Sequence, residues 1–186
     1  MRIELPIIET ERFVLREISE YDYVDMYEYA HLDYIGPVAG WEPHTDFKYT
    51  KDVINAYRKK KFMGQLGVFA VILKSENKMI GTCELHSFIP GFKAELGYTI
   101  NPNYWGKGYA TEAGYAMTEW GFTVLNLKRI ECCCFTSNVM SKKVCEKLKY
   151  TYEGIRRKAY QLYNGKIYDL VCYSMTDDEF MEKYIK

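Results

Sequence analysis

The sequence predicts a mixed α/β fold, a mostly antiparallel central sheet with about four helices on its faces. Three observations lead there. Along the chain the apolar spacing switches between the period of a helix and that of a strand. Three consecutive strand-like segments, 67–73, 79–88 and 93–100, are joined by short polar turns and so make an antiparallel meander. The last of them runs through "NPNYWGKGYATEAG" (101–114) into a helical pattern, a strand–loop–helix with two glycines in the loop.

The elements follow in order. "ERFVLREI" (11–18) alternates around Phe13 and Leu15 and reads as a strand. Ser19, with Asp22 three residues on, has the pattern of a capping box. Behind it Tyr23, Met26, Tyr27 and Ala30 fall on one helical face. "HLDYIGPVAGWEPH" (31–44) carries prolines and glycines and reads as a loop. "KYTKDVINAYRKKKF" (48–62) reads as a helix whose basic end suits the helix dipole. "GVFAVIL" (67–73) is almost wholly apolar, as in a strand covered on both faces. After the glycine loop, Ala110, Ala113, Met117, Trp120 and Val124 form the stripe of a third helix. "KRIECCCF" (128–135) is a strand. "SNVMSKKVCEKLKY" (137–150) is a helix with Met140, Val144 and Leu148 as its expected buried row. Two last strands flank Asn164-Gly165, a strong hairpin signal.

No repeat or linker divides the 186 residues, so a single domain over 1–186 is expected. Lys plus Arg equals Asp plus Glu, 25 each, which argues against a nucleic-acid partner held by phosphate neutralisation. No apolar run approaches the length of a membrane span, and no signal peptide is visible. The six cysteines form no C-x-x-C pair, and the run Cys132–Cys134 would alternate across a strand. They read as small buried apolar residues, with no metal site, in a reducing, cytoplasmic setting.

The glycine loop is the informative stretch. Backbone N–H groups at a helix start are unpaired and lie at the positive end of the dipole. A loop without bulky side chains lets a pyrophosphate reach them. Gly106 and Gly108 suit that need, and Lys107 adds charge. A dinucleotide fingerprint would require a third glycine where Thr111 stands, and a Walker loop would end in Gly-Lys-Ser/Thr.

Together, "AELGYTINP", "WGKGYATEA" and "TSNVMSKKVCEKL" resemble the acetyl-CoA site of the GNAT N-acetyltransferases, and most of all the branch of the ribosomal-protein N-terminal acetyltransferases (RimJ/RimL-like). "ETERFVLREI" and "YEGIRRKAYQLYNGKIYDLVCYSM" extend the resemblance over nearly the whole chain. In the family's Gln/Arg-x-x-Gly-x-Gly/Ala motif, Gly108 and Ala110 match and Trp105 stands at the Gln/Arg position.

The resemblance implies a GNAT-like acyl-CoA N-acyltransferase fold with acetyl-CoA as cosubstrate. The pyrophosphate is expected on the backbone of Gly106, Lys107, Gly108, Tyr109, Ala110 and Thr111. The pantetheine arm is expected along the edge of Tyr98, Thr99 and Ile100, and Asn138 is expected to touch it. Amine attack on a thioester needs a base for the ammonium and help for the departing thiolate. Glu95 is the expected base, acting through a water, with Glu84 and His86 behind it. Ser141 matches a serine proposed as the acid in the ribosomal branch and is the expected acid here; Cys145 stands where many relatives carry a tyrosine. Trp41 and Glu42 are candidates to hold a cationic acceptor. The acceptor is left open among a protein N-terminus, a polyamine, an aminoglycoside or another amine. A homodimer is allowed by the sequence but not read from it. The alternative is an acyl-CoA-binding module without catalysis.

Overall fold

The computed structural model describes residues 4–185; residues 1–3 and 186 of the expected 1–186 domain lie outside them. Among these, eight strands make one sheet in the order β1-β2-β3-β4-β5-β6-β8-β7. They are β1 (Ile8–Glu9), β2 (Phe13–Glu17), β3 (Phe69–Leu73), β4 (Lys78–Ile89), β5 (Lys93–Ile100), β6 (Arg129–Phe135), β7 (Thr151–Gln161) and β8 (Ile167–Thr176). Each neighbouring pair is antiparallel except β5 and β6. The helices are α1 (Tyr23–Ala30), α2 (Gly36–Ala39), α3 (Phe47–Lys59), α4 (Tyr109–Thr123), α5 (Val139–Lys147) and α6 (Asp177–Phe180).

Two apolar layers sandwich the sheet. On one face α4 and α5 send Ala113, Met117, Trp120, Cys145 and Leu148 against Phe13, Phe69, Leu85 and Leu96. On the other, Met26, Tyr29 and Ala30 of α1 and Ile54 of α3 pack on Ala70, Ile72 and Met79. This explains β3: all five of its residues are buried, because alternate side chains enter opposite layers. Removing apolar area of this kind from water contributes about 25 cal/mol per Å².

Local chemistry places the ends. Ser19 and Asp22 form the capping box read from the sequence, reciprocally bonding backbone N–H groups ahead of α1. Asp46 caps α3, its side chain accepting from the Tyr49 amide at 2.7 Å.

Some elements differ from the sequence reading. The 31–44 loop contains α2, a single turn stopped by Gly40 in a left-handed conformation, φ 92°. α3 gives way to a 3₁₀ turn over Lys60–Met63. Val124 is 62 % exposed because α4 stops at Thr123, before the stripe would bring it round. In α5 Met140 is 54 % exposed, and Cys145 takes the deepest place beside Leu148. β1 and α6 are additional, too short to show a period.

Candidate active site

Between β5 and β6 the sheet comes apart. The two strands pair in parallel only over Lys93–Glu95 with Arg129–Glu131. Beyond that register β5 continues to Ile100 bonded to β4 alone, with Tyr98 opposite Cys83 and Thr99 opposite Thr82. A parallel strand needs a crossover, and α4 supplies it, so the glycine loop lands at the wide end of the gap. The gap is the middle of a cleft of about 690 Å³.

At the wide end stands the loop. Gly106 and Gly108 both have φ of 78°, left-handed backbone that other residues adopt only at a cost. Their lack of a side chain is not a matter of room: a Cβ on Gly106 would touch nothing within 4 Å. Gly108 is the cap residue of α4, and no side chain bonds the helix's first amides. The first amide to turn back is that of Glu112, which donates to the Gly108 carbonyl at 3.1 Å. The preceding N–H groups are therefore presented at a positive helix end, a cradle for an anion.

The loop is held from below by Arg12, just ahead of β2. Its guanidinium donates to Glu112 at 2.5 Å and to the Lys107 carbonyl at 2.9 Å, and lies 4.5 Å from the centre of the Tyr109 ring. Thr10 donates to the other Glu112 oxygen at 2.6 Å. Burial pushes the Glu112 carboxyl up, but the bonds from Thr10 and Arg12 outweigh it and hold it below the usual range. Trp105, at the Gln/Arg position of the motif, donates its indole N–H to the Ile100 carbonyl at 2.7 Å and so fixes the strand-to-loop turn.

Along the middle lie Tyr98, Cys134, Asn138 and Ser141. Asn138 caps α5, accepting from the Ser141 amide at 3.0 Å. The Tyr98 hydroxyl lies 2.8 Å from Ser141 Oγ. Burial pushes the Cys134 thiol up to about 11, against a hydrogen bond from Ser141 that draws it down.

At the far end sits Glu95, partly buried, with no hydrogen bond or ion pair among the described residues. His86 is its register partner on β4. Glu84 is neutralised by Lys60, whose Nζ lies 2.5 Å from it. The end is roofed by the 31–44 segment and the β7–β8 hairpin, tied by the Tyr160 hydroxyl donating to the Gly40 carbonyl at 2.7 Å. Trp41 lines this end, whereas Glu42 is exposed and outside the wall. Behind Trp41, buried His44 bonds Thr50 at 2.9 Å, and burial lowers its pKa to about 4.

One cleft thus gathers Glu95, Tyr98, Thr99, Ile100, Gly106, Gly108, Tyr109, Ala110, Thr111, Asn138 and Ser141. Lys107, like Glu42, lies outside its wall: its carbonyl serves Arg12, and its ammonium lies 5.4 Å from the Tyr104 ring. Tyr34, Tyr57, Cys134 and Tyr160 also line the cleft and were not singled out from the sequence. An aromatic or a thiol looks the same in a sequence whether it fills a core or faces a cleft. Among the described residues no three His, Cys, Asp or Glu side chains cluster to hold a metal, and no helix is long and apolar enough to cross a membrane.

A strand pair opened beside an uncapped, glycine-started helix has a counterpart among known proteins. The family model described as an acetyltransferase (GNAT) domain matches residues 12–151. The chain belongs to the GNAT family. It is 31% identical over 172 residues to the uncharacterized N-acetyltransferase p20 of Bacillus licheniformis, covering 92% of this chain and 96% of that one. A GNAT-family acetyltransferase from Bacillus anthracis superposes with a TM-score of 0.82 at 29% identity, over 94% of this chain and 100% of that one. Ribosomal-protein-S5-alanine acetyltransferase from Vibrio fischeri does so with a TM-score of 0.74 at 26% identity, over 94% and 98%. The protein is an acetyl-CoA-dependent N-acetyltransferase: a GNAT enzyme moves an acetyl group from acetyl-CoA to an amine.

Proposed function

We propose that the acceptor is a primary amine, foremost the N-terminal amine of a protein, and that it attacks the acetyl-CoA thioester directly while both are bound. The observation that carries this reading is the single cleft with an anion cradle at one end, unpaired Glu95 at the other and a free strand edge between. The likeness to an S5-alanine acetyltransferase supports an N-terminal amine among the acceptors open to a GNAT enzyme.

In this mechanism the pyrophosphate lies on the backbone of Gly106 to Thr111. The pantetheine arm follows Tyr98 and Thr99, with Asn138 alongside. An ammonium has no lone pair to attack with, so Glu95 takes its proton through a water. The neutral nitrogen adds to the carbonyl carbon. The carbon–sulfur bond then breaks with its electron pair going to sulfur, the Ser141 hydroxyl stabilises that charge, and the second proton lost by the nitrogen ends on the thiolate, so the coenzyme leaves as its free thiol. Holding the two reactants in contact supplies several kcal/mol of the barrier, so no one side chain is indispensable.

Thermal unfolding with acetyl-CoA, and with NAD and ATP as controls, tests the cradle. A ligand at about 100 times its Kd adds about 2.7 kcal/mol. For this size that is a rise of roughly 5–10 °C. Free-thiol release with an alanine-initiated peptide, spermidine and an aminoglycoside then sorts the acceptors. No rise with acetyl-CoA in folded protein sinks the cradle. A rise without thiol release for any amine sinks the catalytic assignment of Glu95 and Ser141.

A further inference from the structure

We infer that Tyr98 is a positioning residue: its hydroxyl donates to Ser141 Oγ and thereby turns the single Ser141 hydrogen toward the sulfur of the thioester. This rests on the role proposed above for Ser141 and adds a second group to it.

The geometry leaves few other arrangements. A serine hydroxyl has one hydrogen to give and two lone pairs to accept with. Ser141 Oγ has the Tyr98 oxygen 2.8 Å away. If Ser141 donated to Tyr98, the phenol's hydrogen would be left with the Ser141 carbonyl, at 3.4 Å a poorer acceptor. With Tyr98 as donor the short contact is met, and the Ser141 hydrogen is left for a sulfur, the Cys134 thiol in the free protein and the thioester once acetyl-CoA is bound. The phenol is fit for a fixed donor. Burial, with the Cys132 and Cys145 thiols for neighbours, raises it well above the ordinary phenol range, so it keeps its hydrogen throughout the working pH range. Ser141 is in turn fixed through its backbone, because its amide is held by Asn138 at 3.0 Å.

The consequence is selective for the transition state. Tyr98 and Ser141 line the same cleft as Asn138 and the open edge of β5, where the pantetheine arm would end. As the carbon–sulfur bond breaks, the electron pair settles on sulfur and the Ser141 hydrogen bond becomes charge-assisted, roughly twice as strong as a neutral one. An interaction that strengthens only as the bond breaks raises kcat without tightening ground-state binding. Tyr98 itself transfers no proton.

The test is a double-mutant cycle of Tyr98→Phe and Ser141→Ala, with single-turnover thiol release from acetyl-CoA and separate equilibrium binding of acetyl-CoA. Tyr98→Phe is expected to lower the rate about 10-fold and to leave the acetyl-CoA Kd within about twofold. In the Ser141→Ala background the same change is expected to cost less than about twofold. A loss that is equal in both backgrounds, or no loss with Ser141 present, overturns the inference. A fluorinated tyrosine at 98 keeps the ring and strengthens the donor, which serves if the phenylalanine variant does not fold. It is expected to raise the rate with Ser141 present and to change nothing in Ser141→Ala; a change in both, or in neither, also overturns the inference. Ser141→Ala with an undiminished rate would instead remove Ser141 from the proposed mechanism, and the role of Tyr98 with it.

Discussion

At one end of the cleft the wall is the glycine loop and helix start, Gly106 and residues 108 to 111; at the other it comes from segments as far apart as Gly40 and Tyr160. The backbone end offers the same N–H groups whatever the neighbouring side chains are. It suits a ligand part that never changes, a pyrophosphate. The side-chain end can be rebuilt by substitutions in a loop or a hairpin without disturbing the sheet. It suits an acceptor that differs between relatives. The proposed chemistry lies on the strands that part.

That contrast can be broken at four places, in falling order of effect. Glu95→Gln should lower kcat about 100-fold, at the lower end of general-base contributions, and remove the acid limb of the pH–rate profile while acetyl-CoA binding stays unchanged. A profile with its acid limb intact would take the base role from Glu95. Gly108→Val puts a branched residue at φ 78°, where the strain is about 1–3 kcal/mol. Acetyl-CoA should bind roughly 10- to 100-fold more weakly by calorimetry, with the acceptor KM little altered. Tyr160→Phe removes the bond to the Gly40 carbonyl, worth about 1 kcal/mol. It should raise the acceptor KM about fivefold and spare acetyl-CoA. If instead it weakens acetyl-CoA, the two ends are not separable.

The smallest effect is one of pH. His44 has a folded pKa of about 4, lowered by burial from 6.5. Its unfolded form binds the proton more readily, so its contribution is complete above 6.5 and is lost as pH falls toward 4. Melting temperature should fall over that window, and less so in His44→Gln.

How much of this is legible in the sequence follows the same divide. Glycines in left-handed conformations and an uncapped helix start leave a contiguous trace, so the donor end can be read from 101–114. Strand periods placed β3, β4 and β5 to within two residues, because alternate burial writes itself into composition. Glu95 was singled out through the family resemblance; it lies in the cleft wall, and its role as base is a proposal. The Tyr98–Ser141 bond, which spans 43 positions, was not, and neither was the tie from Tyr160 to Gly40. Met140 shows the limit of periodicity: it keeps the spacing of a buried row, yet is left open because the cleft lies where the row would pack.

Arg12 reaches Glu112 across 100 positions and holds the Lys107 carbonyl as well. During synthesis the arginine leaves the ribosome long before the loop it supports. The cradle therefore cannot take its final shape until β2 has joined a sheet whose middle is made later. On the proposed reading of the cradle, acetyl-CoA recognises an assembled molecule rather than a local segment. On that reading a molecule whose β2 has come loose loses its donor before it can misdirect an acetyl group.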